Sequence, residues 1–459
     1  MVEPTAQRQK VPAAPAAGSN HGDTLRIAYL GAGAAGMYCG ACLHDNTLAA
    51  AMMRQGADVV FVPTYTPIRT DEADVSQQRV LFGGINVYLQ QAVPLFRYTP
   101  RFVDRLFDSP WLLGWLARQQ FAVEARKLGR LTVSTLRAEH GNQRKEVAKL
   151  VDWLADEIHP DVVHLSNAIL AGFAHDIGQR LGVPVVCSLA GEDIFLDKLL
   201  SPYREQARQA LRERVGDVAA FISLNRYYAD FMVDYAGIDP ARVHVVPHGL
   251  KLAGHSPREP SLGRPPTIGF LARICHDKGL HLLVDALRLL AADPELPGVR
   301  LRVAGYLGKA DRPYLAELER KVAAWGLADR LDVVGEVTRE EKIAFLHSID
   351  VMSVPTVYHE SKGLSILEAW ANAVPVVLPR HGAFPEMVAD TGGGLLFEPG
   401  DTSALARGLK QLLLDPTLAD EHGRRGHAAV IDRYHDDAMA RRTLDVYRQV
   451  ATPRTKASP

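Results

Sequence analysis

The sequence has 459 residues, a formal net charge of −1 and a hydrophobic fraction of 47%. The length suits two or three domains, and the near-zero charge gives no whole-chain argument for binding nucleic acid or an anionic membrane. Four cysteines are too few for a disulfide scaffold, and no apolar run of about 18 residues predicts a membrane span. Residues 1–23 lack the apolar segment of a signal peptide, so we expect a disordered tail and a cytoplasmic protein.

The first predicted unit is a strand at residues 24–30, a glycine-rich loop containing Gly33 and Gly36, and a helix. Strand, G-x-G-x-x-G and helix together form the dinucleotide-binding fingerprint. This pattern allows an NAD- or FAD-dependent oxidoreductase. The next strand argues against that activity, because it ends in Pro63 and Thr64 where an acidic residue for the ribose is expected.

Cys39 and Cys42 form a C-x-x-C pattern near the start of this helix. The spacing is also that of a redox pair or of half a zinc site. No second C-x-x-C or close histidine pair completes a zinc site. We therefore favour packing of the glycine-rich loop as their role.

Residues 64–140 are harder to interpret, because short strand-like pieces alternate with an aromatic stretch at residues 102–121. Trp111 and Trp115 lie on one face of a predicted helix there. Such a face usually belongs to a core. The alternatives are a lip of an acceptor site or a peripheral contact with lipid at the inner face of the membrane.

From residue 142 to residue 248, predicted helices alternate with apolar strands at 161–165, 183–189, 219–224 and 243–246. This alternation predicts a parallel, doubly wound sheet, whose ligand crevice lies beyond the carboxyl ends of the strands. The rule places His164, Asp193 and Asn225 near the cleft. His164 and Asp193 have a second interpretation as hydrogen-bonded scaffold groups.

After a loose segment at residues 249–266, a second domain of the same kind begins with a strand at 267–271. Arg273 and Lys278 follow this strand, five residues apart across a strand-to-helix turn. From that position both cations can reach one anion, although isolated surface charges are the alternative. Further strands are predicted at 299–303, 331–334, 350–354 and 374–378, and the last helical pattern covers 438–450.

The most informative segment surrounds Glu360 and Glu368, which have seven residues between them. Ser365 and Glu368 match the S-x-x-E capping box, so a helix is predicted to start at Ser365, with Gly363 and Leu364 just ahead of it. Free N–H groups and the positive end of a helix dipole meet at such a start, which favours phosphate binding.

This E-x7-E segment resembles the signature of retaining GT-B glycosyltransferases of family 4. The resemblance implies that Glu360 faces the donor sugar, that Glu368 binds the ribose hydroxyls, and that the backbone of Gly363, Leu364 and Ser365 holds the diphosphate. It also implies that Arg273 and Lys278 grip the diphosphate, that the turn ending in Val337 touches the base, and that the loop with Gly33 and Gly36 faces the donor.

Two departures from the family pattern stand out. The residues after Glu360 are Ser361 and Lys362, where Gly-Phe is common, and Ala190 stands where many members have a histidine near the sugar. A different residue then contacts the sugar, or the activity is altered. A catalytically weak protein that only binds sugar nucleotides is therefore one alternative. A glycosidase is another, although its two carboxylates have no use for an adjacent phosphate site.

The predicted architecture is GT-B, with two Rossmann-like domains facing each other across a cleft. The predicted reaction is transfer of a sugar from a UDP- or GDP-sugar to a hydroxyl of a glycan, lipid or small molecule, with retention and with neither cofactor nor metal. The predicted divisions are a tail at 1–23, domains at 24–248 and 267–432, a linker at 249–266, a helix at 433–451 returning to the first domain, and a tail at 452–459.

Overall fold

The computed structural model describes residues 24–33, 40–66, 68, 70–77, 125–259 and 263–451. The predictions for both tails, for Gly36 and Cys39, and for the aromatic stretch at 102–121 lie outside these residues. Within the described part, two parallel six-stranded sheets are each flanked by helices. The predicted α/β class with two doubly wound domains is confirmed.

The first sheet has the strand order β2-β1-β3-β4-β5-β6, and every neighbouring pair is parallel. Strands β1 to β5 are apolar and mostly buried, as expected when helices cover both faces, whereas the edge strand β6 is only partly buried. Each strand for which bounds were predicted lies within two residues of them. The strands are β1 Arg26–Gly31, β2 Asp58–Pro63, β3 Val162–Leu165, β4 Val185–Leu189, β5 Ala220–Ser223 and β6 Val243–Val245.

The helices of the first domain pack on both faces of this sheet. A π-helical turn, Leu154–Ile158, follows α3. The helices are α1 Gly40–Arg54, α2 Ala125–Arg137, α3 Arg144–Trp153, α4 Ala174–Leu181, α5 Glu192–Leu196, α6 Tyr203–Arg214 and α7 Arg226–Ala236.

The second sheet has the order β12-β11-β10-β7-β8-β9. The sequence interpretation did not include β12, because its first residue belongs to a run of three glycines that favours a turn. A Cβ on Gly394 would lie 2.1 Å from the Val376 carbonyl oxygen, so the close approach of β11 requires glycine there. The strands are β7 Thr267–Leu271, β8 Arg300–Ala304, β9 Leu331–Gly335, β10 Val351–Met352, β11 Val376–Pro379 and β12 Gly394–Phe397.

The remaining helices follow these strands in chain order. None of the helices in the described residues is long and apolar enough to cross a membrane. They are α8 Leu280–Ala291, α9 Arg312–Ala324, α10 Arg339–His347, α11 Leu364–Ala371, α12 Phe384–Thr391, α13 Thr402–Leu414, α14 Pro416–Arg433 and α15 Asp436–Val450.

The last helix, α15, lies against α1 of the first domain. Arg54 at the end of α1 donates to Asp436 at 2.7 Å, and the hydroxyl of Tyr447 lies 2.8 Å from Nδ1 of His164 in β3. These contacts fix the chain end on the face of the first sheet that carries Tyr29 and His164.

The two domains also meet through polar contacts beside the cleft. The Glu386 carboxylate of α12 accepts from the backbone N–H groups of Arg226 and Tyr227 at the start of α7, each at 2.9 Å. Asn225 donates to the Ser361 carbonyl at 2.7 Å. A carboxylate at a helix N-terminus is favourable, so these contacts help to hold the two domains together.

Candidate active site

A cavity of about 660 Å³ lies between the two domains, beyond the carboxyl ends of both sheets. The first domain contributes residues such as Gly40, Leu43 and Asp71. The second contributes eight of the residues predicted from sequence. These are Arg273, Lys278, Val337, Glu360, Gly363, Leu364, Ser365 and Glu368.

The start of α11 differs from its prediction. The helix begins at Leu364, one residue before the predicted Ser365, and Gly363 is its N-cap, with a positive φ of 69° that favours glycine. The predicted capping box is wrong, because no side chain caps this helix and Glu368 is instead paired with Lys342. The uncapped first turn leaves the positive end of the helix dipole at the cavity, where an anion can bind.

Lys278 and Glu360 form the central ion pair of the site. The Lys278 ammonium lies 2.6 Å from Oε2 of Glu360 and 2.5 Å from the hydroxyl of Tyr358, which itself donates to Oε2 of Glu360 at 2.7 Å. Oε1 of Glu360 accepts from the N–H groups of Ser361 and Lys362. Burial opposes ionisation of Glu360, but the charge and hydrogen bonds around it prevail and lower its pKa to about 2. Glu360 is therefore an anion at neutral pH.

Arg273 supplies a second cation at the same end of the cavity. Its Nε donates to Sγ of Cys275 at 3.3 Å, and it makes no ion pair with a carboxylate within the described residues. Sulfur is a weak acceptor, so the guanidinium keeps its capacity to bind an anion. Arg273, Lys278 and the start of α11 thus form one positively charged end of the cavity.

Glu368 lies at another part of the cavity wall, next to two charged residues that the sequence interpretation missed. Its Oε1 lies 2.6 Å from the ammonium of Lys342, which also lies 2.6 Å from Oδ2 of Asp71 in the first domain. Burial lowers the pKa of Lys342, but the two carboxylates outweigh burial and raise it above its usual range. A signal existed in the sequence, since Lys342 shares the buried face of α10 with Phe345 and Leu346.

The predicted residues of the first domain are placed differently. His164 is fully buried and does not line the cavity. Its ring stacks on that of Tyr29 at 4.3 Å between ring centres, and its Nε2 lies 2.9 Å from Oγ of Ser188. Burial lowers the pKa of His164 to about 3. Asp193 accepts from the hydroxyl of Tyr228 at 2.7 Å and is likewise not a lining residue. Both geometries agree with scaffold roles. Gly33 follows β1 and does not line the cavity either.

Comparison with known proteins identifies the family. Residues 255–428 match the model described as "Glycosyl transferases group 1", and residues 44–253 match "Glycosyltransferase Family 4". The chain is 35% identical over 321 residues to D-inositol 3-phosphate glycosyltransferase of Xylanimonas cellulosilytica, covering 65% of this chain and 73% of that protein. The chain belongs to glycosyltransferase family 4.

Other family members and solved structures are similar over different lengths. Alpha-maltose-1-phosphate synthase of Mycolicibacterium smegmatis is 35% identical over 48% of this chain, and the match spans 60% of that protein. Sucrose-phosphate synthase of Thermosynechococcus elongatus shares the fold with a TM-score of 0.68 and 18% identity, covering 92% of this chain and 98% of that one. Anabaena HepE, solved in complex with UDP, has a TM-score of 0.65 and 18% identity over 93% of this chain and all of that one. The GT-B prediction is confirmed, and the oxidoreductase alternative receives no support from these glycosyltransferases.

Proposed function

We propose that this family 4 glycosyltransferase transfers a sugar from a nucleoside diphosphate sugar to an acceptor hydroxyl, with retention of the anomeric configuration. The observation that carries the proposal is the convergence of Arg273, Lys278, Glu360 and the uncapped start of α11 on one interdomain cavity. A diphosphate has the charge and the oxygen acceptors that these groups bind.

The chemistry follows from where charge develops. As the bond between the anomeric carbon and the phosphate oxygen breaks, its electron pair passes to the phosphate, and Arg273, Lys278 and the start of α11 stabilise the new negative charge. The acceptor oxygen then bonds to the anomeric carbon and its proton passes to the departing phosphate. Because the acceptor enters on the face that the phosphate leaves, the configuration is retained. The ionised Glu360 then stabilises the positive charge that develops on the sugar.

The proposed chemistry uses no metal ion. The carboxylates of Glu360 and Glu368 are each paired with a lysine, so each already has a cation. The lowered pKa of Glu360 also disfavours a glycosidase that uses Glu360 as its general acid, since a carboxyl group that stays ionised is a poor general acid. Two cations and a helix terminus supply the charge that Mg²⁺ supplies elsewhere.

The choice of donor is tested by binding. UDP-sugars are the first candidates because the similar HepE structure is described in complex with UDP-glucose. Thermal unfolding is measured with UDP-, GDP- and ADP-sugars and with NAD and FAD. A sugar nucleotide at about 100 times its Kd stabilises the fold by about 2.7 kcal/mol, a shift of several degrees in Tm. Stabilisation by NAD and by none of the sugar nucleotides would contradict the proposal.

Turnover distinguishes a transferase from a protein that only binds sugar nucleotides. Release of nucleoside diphosphate is measured with the stabilising donor and a panel of glycan, lipid and small-molecule acceptors. We expect release that depends on an acceptor and slows on the order of 10²- to 10³-fold in Arg273→Ala. Donor binding without release of nucleoside diphosphate would favour the alternative of a protein that only binds sugar nucleotides, which Ala190 keeps open. The anomeric configuration of the product, determined by NMR, decides between retention and inversion.

A further inference from the structure

Three charged side chains from both domains meet at the cavity wall around Glu368. The Lys342 ammonium lies 2.6 Å from a carboxylate oxygen of Glu368 and 2.6 Å from one of Asp71. The three side chains are 10%, 4% and 10% exposed, respectively, and all three line the cavity. Two buried carboxylates therefore share one buried cation.

Asp71 moves with the first domain, because its loop is held by α1. Asn46 of α1 donates to the Ala73 carbonyl at 2.9 Å and accepts from the N–H of Val75 at 2.9 Å. Thr47 donates to the carboxylate of Glu72 at 3.1 Å. These contacts are made by residues one, two and four positions after Asp71, so they tie the position of Asp71 to the first domain.

Lys342 and Glu368 move with the second domain. Lys342 lies near the start of α10, which a capping box between Thr338 and Glu341 holds in place, and Glu368 lies one turn into α11. Their ion pair is local to that domain. The contact between Lys342 and Asp71 is the one that spans the cleft, and it breaks when the domains separate.

Charge sets what this part of the cavity can accept. One ammonium and two carboxylates leave a net negative charge, which repels phosphate and suits hydroxyl donors. Oδ1 of Asp71 is buried and has no hydrogen-bond partner within the described part of the chain. A buried acceptor without a partner is costly, so a ligand hydroxyl there is favourable. The end of the cavity at Arg273 therefore suits a phosphate, and the wall around Glu368 suits hydroxyl groups.

We propose that Lys342 is a positioning residue that couples nucleotide binding to domain closure. It orients Glu368 toward the hydroxyls of the nucleoside, and it gains its second carboxylate, Asp71, only when the first domain closes. Nucleotide binding and closure then favour each other, because coupling between two events is reciprocal. The inference rests on the proposed function, since Glu368 needs a nucleoside to bind.

The test is a double-mutant cycle on nucleotide affinity, measured by calorimetry with UDP, and with GDP and ADP if UDP does not bind. The variants are Asp71→Asn, Glu368→Gln and the double variant. We expect Asp71→Asn to weaken binding at least about fivefold, the lower end of typical coupling, although the residue belongs to the opposite domain. The loss in the double variant should be clearly smaller than the product of the two single losses.

Glu72→Gln is the matched control. Glu72 is adjacent to Asp71 and also reaches across the cleft, but its partner is Arg339 at 3.5 Å, which donates to the Lys251 and Ala253 carbonyls. Its effect should multiply with that of Glu368→Gln to within about twofold, as expected of independent sites. This control separates a general loss of closure from the specific contact through Lys342.

Lys342→Met supplies the second arm. In its background, Asp71→Asn should no longer change nucleotide affinity, because the coupling cation is absent. If Lys342→Met fails to fold, the cycle of Asp71→Asn and Glu368→Gln, with Glu72→Gln as its control, remains decisive. Nucleotide binding with independent effects of Asp71→Asn and Glu368→Gln would overturn the inference alone. Failure of every nucleotide to bind the parent protein would overturn the proposed function, and the inference with it.

Discussion

Stability and catalysis can be separated at the ion pair of Lys278 and Glu360. The pKa of Glu360 falls from its usual 4.5 to about 2, and at 1.36 kcal/mol per pKa unit this corresponds to about 3 kcal/mol of stability at pH 7. Lys278→Met removes the cation and leaves a buried carboxylate, 9% exposed, without its charge partner. We expect a loss of about 2–3 kcal/mol in the free energy of unfolding.

The double variant Lys278→Met/Glu360→Gln should recover most of that stability, to within about 1 kcal/mol of the parent, because no uncompensated charge remains. It should not recover activity. Turnover at saturating donor should fall on the order of 10²- to 10³-fold in both variants, since both lack the cation that faces the phosphate. Urea unfolding followed by circular dichroism and release of nucleoside diphosphate measure the two effects.

The contribution of Glu360 to the free energy of unfolding changes with pH in opposite directions in the parent protein and in Lys278→Met. In the parent, the lowered pKa of Glu360 contributes stability that is complete above about pH 4.5 and is lost as the pH falls toward 2. In Lys278→Met, burial without a cation raises the pKa of Glu360, so acidification toward pH 5 should stabilise the variant relative to the parent. Lys321→Met is the control: its exposed pair with Asp285 should contribute less than about 1 kcal/mol.

Two outcomes would refute this reasoning. If Lys278→Met turns over at the parent rate with saturating donor, Lys278 does not bind the leaving phosphate. If Lys278→Met is as stable as the parent and its stability shows no change of sign with pH, the Glu360 carboxylate is solvated and its ion pair contributes little to stability.

Three further predictions test other parts of the site. Activity should survive EDTA, because two fixed cations and a helix start neutralise the diphosphate; loss of turnover that Mg²⁺ or Mn²⁺ restores would contradict this. Burial lowers the pKa of His164 to about 3, so acid should destabilise the parent protein between about pH 6.5 and 3. The difference in the free energy of unfolding between the parent and His164→Asn should therefore shrink in that window. A constant difference would mean that His164 is solvated. Gly363→Ala should weaken nucleotide binding about tenfold or more at constant pH. The positive φ of residue 363 is strained for alanine, and a Cβ would lie 2.5 Å from Sδ of Met387. Unchanged affinity in calorimetry would show that the turn is adaptable.

The sequence by itself determined the features that depend on local pattern. Apolar runs identified most strands of both sheets, because strands buried on both faces have a composition that needs no knowledge of their neighbours. Strands β8 and β9, which carry charged residues, were also predicted, and β12 was not. The positions of Arg273 and Lys278 after a strand, and the E-x7-E segment that runs into the start of a helix, located the second-domain wall of the cavity. These residues lie at the ends of their own strands or at the start of their own helix, so spacing over a few residues was enough to locate them.

Only the tertiary structure decided the contacts between segments far apart in the chain. It placed His164 beneath α15, where Tyr447 and Tyr29 enclose it, although its strand position pointed to the cleft. It also gave Glu368 a lysine from α10 in place of a capping hydrogen bond. The physical reason is that burial and charge pairing depend on which surfaces the packed domains bring together, and spacing along one segment carries no information about that.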